Sequence, residues 1–381
     1  MDRDINAAKS QVTRRIFRDT SMTLPLLGFG LMRLPQKEGK IDYAAAEVMV
    51  EQAMQAGCNY FDTAYMYHGG ESEKFAGKVL RKYPRNSYYL TSKMAVWMAN
   101  DADHVERIFQ EQLQRCQTDY FDFYLLHSVN ETIWKKSVDF HTLDFLKKMK
   151  AEGKIRKLGF SFHDTPEFLR MVVESYPWDF AQIQLNYLDW ENYRSREQYE
   201  ILTEAGIPVL IMEPLRGGAL ASLSPVANEI LTKAAPDSSI ASWALRYAAS
   251  LPNVLCVLSG MSQAEQMQDN INTFSPLKPL SAQERQTLDE ALTAHKQYLA
   301  VPCTSCRYCM PCPAGVKIPE IFGIYNQYKV MKSRSSFQNN YNALPEESRA
   351  SSCVNCGKCA KHCPQKIAIP DMLRKIAEEV K

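Results

Sequence analysis

From about residue 20 to residue 275, short apolar runs alternate with amphipathic stretches. The apolar runs, 25–32, 60–64, 88–93, 121–127, 157–162, 181–187, 208–213 and 254–259, have the length and composition of buried strands. Between them apolar residues recur three and four apart, which predicts helices over 44–56, 71–82, 103–115, 137–151, 166–175, 191–205, 240–249 and 264–273. Gly57, Gly153 and Gly206 follow three of these helices, where a C-terminal cap accepts a left-handed residue. Eight strands, each followed by a helix, in about 250 residues is the count of a (β/α)8 TIM barrel. A doubly wound α/β sheet is the alternative, but no G-x-G-x-x-G follows the first strand.

The pattern changes after residue 281. A charged helix without glycine or proline is expected over 282–298, then a cysteine-rich tail, then a last helix over 371–380 that opens at Pro370. The expected domains are therefore a barrel with an N-terminal hairpin over 1–290 and a small, mainly helical domain over 291–381. The chain's 381 residues, 45% of them apolar, suffice for one large and one small core. A net charge of +2 gives no electrostatic case for nucleic acid or a membrane surface, and no run of 18 apolar residues spans a bilayer. Thr13-Arg14-Arg15-Ile16-Phe17 has the look of a twin-arginine signal. Arg18 and Asp19 follow where an apolar segment would have to stand, so an exposed basic hairpin strand is the plainer expectation.

Eight of the eleven cysteines lie in two runs. Cys303, Cys306, Cys309 and Cys312 form C-x2-C-x2-C-x2-C-P; Cys353, Cys356, Cys359 and Cys363 form C-x2-C-x2-C-x3-C-P. Thiolates three residues apart on a tight turn converge on one face of a cubane. Four disulfides would require an oxidising compartment that the other, singly scattered cysteines do not suggest. Tetrahedral zinc is the remaining alternative, although it does not need spacing this tight. The tail resembles ferredoxins, and its long interval between the runs resembles the helical ferredoxin type. In two-cluster ferredoxins the fourth cysteine of each run ligates the other cluster. That resemblance implies one [4Fe–4S] cluster on Cys303, Cys306, Cys309 and Cys363, and a second on Cys353, Cys356, Cys359 and Cys312. Cys58, Cys116 and Cys256 stand in apolar surroundings and read as core.

A TIM barrel places its chemistry at the C-terminal ends of the strands. Those ends offer Asp62, Tyr67, Lys93 and His127. The set suits carbonyl reduction: a phenol gives a proton to the developing alkoxide, an ammonium favours the phenolate left behind, a carboxylate positions the ammonium, and an imidazole bonds the substrate oxygen. Tyr65 is a competing phenol two residues earlier. Taken singly, Asp62 reads as a helix cap, His127 as a core histidine and Lys93 as a surface lysine. Phe61-Asp62-Thr63-Ala64-Tyr65-Met66-Tyr67, Thr91-Ser92-Lys93 and Leu125-Leu126-His127 together resemble the catalytic motifs of the aldo/keto reductase family, over roughly residues 15–275. With the tail, the chain resembles the ferredoxin-fused branch of that family.

The resemblance implies Tyr67 as general acid, tuned by Lys93 and Asp62, with His127 orienting the carbonyl. It implies NADPH or NADH as cofactor, with Ser161 and Gln182 on the nicotinamide carboxamide and Met212 in place of a stacking aromatic. Gly30 and Met32 at the first strand's end are further cofactor-site candidates. Pro214, Leu215, Arg216 and Gly218 would wrap the pyrophosphate, and Asp269 and Asn270 would read the adenine. Ser262 lies in the same last loop. Gly260 and Gln266 stand where the family carries cations for a 2′-phosphate, and Phe162 stands where it carries asparagine. Met32, Met94, Trp97 and Asn130 are candidates to line the substrate pocket, and His68 and His163 to touch substrate.

The expected function is NAD(P)H-dependent reduction of an aldehyde or ketone, with a fused iron–sulfur electron-transfer domain. A nicotinamide moves two electrons at once and a cubane one. An electron-transfer protein whose barrel binds nucleotide or flavin and feeds the clusters is therefore the second reading, and a nucleotide-binding sensor the third. A small carbonyl substrate, a possible redox partner protein, no nucleic acid, no membrane and a cytoplasmic location complete the expectation.

Overall fold

The computed structural model describes residues 11–18, 20–296, 298, 300–303, 307–331 and 333–380. Eight parallel strands close a barrel: Leu27–Gly30, Tyr60–Asp62, Tyr89–Met94, Phe121–Val129, Ile155–Phe162, Phe180–Gln184, Val209–Met212 and Val254–Ser259. Each is hydrogen-bonded to its sequence neighbours, and the eighth pairs with the first at Val257↔Leu27 and Ser259↔Phe29. The expected TIM barrel is what the chain forms. An antiparallel hairpin, Arg14–Ile16 with Thr23–Pro25, precedes it. Phe17 and Leu24 of that hairpin pack among Tyr60, Phe123, Phe180, Leu210 and Cys256, so the N-terminal end of the barrel is filled by side chains. The arginine pair there is committed to folding. Arg14 bonds the Gly57 carbonyl and Asn59, and Arg15 donates to the carbonyls of Ala249, Leu251 and Val254, at the C-terminus of the Ile240–Ala249 helix, where a cation is favoured.

Three helices differ from the sequence expectation. The stretch 137–151 is two helices, Glu131–Asp139 and Thr142–Ala151, broken at His141 (φ 50°). The first starts early because Asn130 caps it, its side chain accepting from the Ile133 amide at 3.0 Å. A break at Arg194 (φ 53°) likewise separates Asp189–Asn192 from Ser195–Glu204. After the seventh strand lies an unforeseen helix, Pro225–Ala234, with proline at its first turn.

The chain forms two compact units. One takes the chain up to Pro214 together with Ser242–Leu280; the other takes Leu215–Ala241 and the chain from Ser281 onward. In the second unit the Pro225–Ala234 helix packs on Ala282–Lys296, and the Ser224 amide donates to His295 Nδ1 at 3.0 Å. The tail is helical, with Ile318–Met331, Arg334–Asn342 and Ile369–Val380 around a core of Ile318, Phe322, Tyr325, Phe337, Tyr341, Leu373 and Ile376.

The fifth strand needs glycine at one point. Gly159 lies between Leu125 and Phe180, and a Cβ there would stand 2.5 Å from the Phe180 carbonyl oxygen and 2.7 Å from its ring. The obstruction includes backbone, so relief requires strand movement. Gly159→Ala is expected to cost about 1–3 kcal/mol by overpacking, read as a lowered urea midpoint with unchanged m-value; an unchanged midpoint would show that the barrel yields there freely.

Candidate active site and cysteine hollows

The second and third strands end side by side, with Asp62 paired to Thr91. Lys93 therefore emerges beside Asp62, and both are almost wholly buried. The Lys93 ammonium donates to Asp62 Oδ1 at 2.6 Å, to the Thr63 carbonyl at 2.8 Å and to the Tyr67 hydroxyl at 3.4 Å. Tyr67 opens a short 3-10 turn, Tyr67–Gly70, with His68 and Gly69 in left-handed conformation. Its ring stands edge-on to His127, centroids 6.1 Å apart at 82°, and the Trp97 ring lies 4.9 Å from that of His127, tilted at 54°. Tyr65 points elsewhere: its hydroxyl donates to Glu111 at 2.8 Å and Arg115 covers its ring. Of the two candidate phenols, Tyr67 is the one beside Lys93.

Burial pushes Lys93 below the usual ammonium range, with Asp62 and then Glu73 pulling it back; burial pushes Asp62 up, with Lys93 opposing. Burial, then the Lys93 charge, then His163, hold His127 well below the usual imidazole range. Burial alone takes His163 to about 4. Both imidazoles are thus neutral near pH 7.

A polar layer behind Lys93 escaped the sequence reading. Glu73, fully buried, accepts from Ser92 Oγ at 2.6 Å and from Gln112 Nε2 at 2.7 Å, and pairs with Arg115 at 3.4 Å. Gln112 also donates to the Lys93 carbonyl at 3.0 Å and accepts from the Tyr124 hydroxyl. The available signal was polarity in the wrong phase: Gln112 shares the apolar face of its helix with Val105, Ile108, Phe109 and Cys116.

The residues assigned to a nucleotide are spread round the strand ends. Ser161 Oγ accepts from the Ser128 amide at 2.7 Å. Gln182 is buried, and its Oε1 has no partner among the described residues. A buried orphan amide group fits a ligand that donates, such as a carboxamide. Gly30 pairs with Asp62, Met32 and Met212 are half-buried, and Pro214 ends the first of the two segments of the first unit. Leu215, Arg216 and Gly218 belong to the second unit. Arg216 is buried, left-handed (φ 49°), and donates to the Pro302 carbonyl at 3.0 Å. In the last loop Gln266 accepts from the Ser262 amide at 2.8 Å, Asp269 is half-buried, and Asn270 donates to Ser259 Oγ at 3.0 Å. A side chain at Gly260 would meet the stem of Arg33 at 3.1–3.3 Å. Met94 is core, Trp97 is half-buried, the half-buried His163 keeps its ring Nδ1 shut off from solvent, and His68 bonds Gln36 at 2.8 Å.

The tail brings the cysteines into two hollows. One is lined by Cys303, Cys309 and Cys363 with Ile318, Phe322, Ile367 and Ile369. The other is lined by Cys312, Cys353, Cys356 and Cys359 with Ile318, Pro370 and Leu373. Cys306 lies outside the described residues. Each hollow takes cysteines from both runs. Thiol sulfurs in an apolar wall are a donor set suited to an iron–sulfur cluster. Among the described residues no three Cys, His, Asp or Glu side chains gather round a single ion.

Residues 26–293 match the model of the aldo/keto reductase family, and residues 302–368 match that of a 4Fe-4S dicluster domain. L-galactose dehydrogenase of Arabidopsis thaliana is 27% identical, covering 74% of this chain and 93% of its own. The NADH-specific methylglyoxal reductase of Escherichia coli is 24% identical, covering 66% and 90%. Among solved structures, the holo form of an aldo-keto reductase from Bacillus halodurans superposes with a TM-score of 0.62 at 25% identity, covering 74% of this chain and 96% of its own. A closed parallel barrel, a Lys–Asp–Tyr cluster at its strand ends and a match over more than half the sequence have one reading: the chain belongs to the aldo/keto reductase family and carries a C-terminal 4Fe-4S domain.

Proposed function

We propose that this oxidoreductase reduces an aldehyde or ketone, or runs the reverse oxidation, with NAD(P)H. The observation that carries the reading is the Lys93 ammonium, which touches Asp62 and the Tyr67 hydroxyl at once. A reduced nicotinamide, when bound, supplies the hydride. The chain's own residues handle the proton and the charge. Tyr67 gives its hydroxyl proton to the substrate oxygen, and Lys93 stabilises the phenolate that remains. Asp62 keeps the ammonium in place. His127, neutral, bonds the carbonyl oxygen without competing for the proton. Trp97 gives the substrate an apolar wall. Ser161 and Gln182 hold the carboxamide, a reading supported by the buried Oε1 of Gln182, unpartnered among the described residues. The relatives named for L-galactose and methylglyoxal support a small polar substrate. The cations expected for a 2′-phosphate are missing at Gly260 and Gln266, which supports NADH as an effective donor.

In the tail the two hollows support two [4Fe–4S] clusters with exchanged fourth ligands. One set is Cys303, Cys306, Cys309 and Cys363; the other is Cys353, Cys356, Cys359 and Cys312. The clusters, when bound, exchange single electrons.

Tyr67→Phe is expected to lower kcat/KM for carbonyl reduction about 10²–10⁴-fold while nucleotide affinity stays within a factor of two or so. Retention of full turnover would remove Tyr67 from the role of acid. The ligand exchange has its own test in iron content. Cys309→Ala and Cys363→Ala should each lose about half the iron, and the double variant no more, whereas Cys309→Ala with Cys359→Ala should lose nearly all. Loss of all iron in the first double variant would mean that each run holds its own cluster.

His163 gives a pH signature. Its folded pKa of about 4 lies below the ordinary 6.5, so the unfolded chain binds more protons between those values. Its contribution is present above pH 6.5 and is lost as pH falls toward 4. His163→Gln should flatten the fall in melting temperature across that window; an unaltered slope would show that His163 is solvated.

A further inference from the structure

The net charge of +2 hides an uneven distribution. From Ala300 to Lys381 there are twelve lysines and arginines against six acids. Between Glu347 and Asp371 there is no acid, while Arg349, Lys358, Lys361 and Lys366 fall in that interval. The interval contains the second cysteine run. Its turn, with Asn355 at φ 53° and Gly357 at φ 69°, presents Cys356 to solvent, whereas the other described cysteines of both hollows are half-buried or buried. Val354, beside it, is 68% exposed, an unusual placement for a β-branched apolar side chain. Lys358 and Lys361 follow, three residues apart on one helical turn, both exposed, neither in an ion pair among the described residues. His362 and Lys366 are exposed as well. Two other arginines of the tail are compensated. Arg307 is paired with Glu320 at 2.9 Å, and Arg374 with Asp371 at 3.1 Å.

We propose that the Val354–Lys366 edge is a docking surface for a small acidic one-electron carrier protein. The inference rests on the cluster reading above and extends it to a partner. The pattern is an apolar contact point at the exposed cysteine inside a rim of one sign, which is how a weak, fast, electrostatically steered encounter is built. Electron transfer weakens steeply with distance, so the exposed side of the second hollow is where a carrier must seat. One electron passes between the carrier's centre and the cluster on Cys312, Cys353, Cys356 and Cys359, the one oxidised as the other is reduced. No bond forms or breaks and no proton moves. Nucleic acid or an anionic membrane would be drawn by the same lysines, but neither uses an exposed cysteine with an apolar residue beside it.

The test uses the anaerobically purified full chain with its iron quantified, and a small acidic [2Fe–2S] ferredoxin carrying a fluorescent label. Association should slow steeply with added salt. Lys358→Glu with Lys361→Glu should weaken binding about tenfold or more at low salt, with iron content unchanged. Lys40→Glu with Lys135→Glu, on the barrel, should change binding less than about twofold. If the tail reversal disturbs folding, the salt dependence of the unmodified protein decides alone. The proposal fails if affinity is indifferent to salt, if both double variants weaken it equally, or if duplex DNA or phosphatidylserine vesicles bind as tightly as the ferredoxin. A purified chain without iron would instead overturn the cluster reading itself.

Discussion

The interaction on which the site depends is the burial of a charged lysine. An isolated ammonium in a barrel interior costs several kcal/mol or more. Lys93 meets that cost with a carboxylate at 2.6 Å, a backbone carbonyl at 2.8 Å and a phenol at 3.4 Å. The partners come from the second strand and the turn after it, so the register of Asp62 with Thr91 is a condition for the charge to exist there. The second carboxylate follows from the same constraint. Glu73 does not touch the ammonium, yet it holds Ser92 and Gln112, and Gln112 holds the Lys93 carbonyl. Arg115 balances Glu73 from outside at 3.4 Å. The result is an alternation of sign through two strands and two helices, without which one of the four charges would be stranded.

This explains which parts were legible. Strands in a parallel barrel are buried on both faces, so they read as apolar runs, and the eighth run coincides with its strand, Val254–Ser259. The cysteine runs are legible because cubane spacing is local. Helix breaks at His141 and Arg194 are set by single left-handed residues inside otherwise regular patterns, which periodicity does not register. The Pro225–Ala234 helix buries only Ala227 and Leu231, an apolar face too narrow for periodicity to register. Glu73 and Gln112 were invisible for a different reason: a polar residue on an apolar face signals only that it has a partner, and the partners lie on other elements.

The second unit changes how the loop after the seventh strand is understood. Leu215–Ala241 folds with the tail, and the buried Arg216 is bound to the Pro302 carbonyl, one residue before Cys303. A non-glycine residue at φ 49° persists only where its surroundings hold it. The restraint on this loop is therefore supplied by the segment that leads into the first cysteine run. Residues assigned by resemblance to a pyrophosphate are tied to the stretch that a cluster would order, so the tail bears on the nucleotide loop through a hydrogen bond within one unit, whatever its electrons do.

Two-electron and one-electron chemistry ask for opposite surroundings. A hydride and a proton must reach one carbon–oxygen bond together, which favours a dry site with compensated charge and bases that stay neutral; Lys93, Asp62 and His127 are each almost wholly buried, and burial heads the causes that keep His127 and His163 uncharged. A single electron needs neither dryness nor a proton, only close approach, and approach is helped by uncompensated charge at a surface. The exposed Cys356 between Val354 and Lys358, in an interval without an acid, answers that second requirement. On the proposed reading the two demands fall on different units, Lys93, Asp62 and His127 in the first and Cys356 in the second.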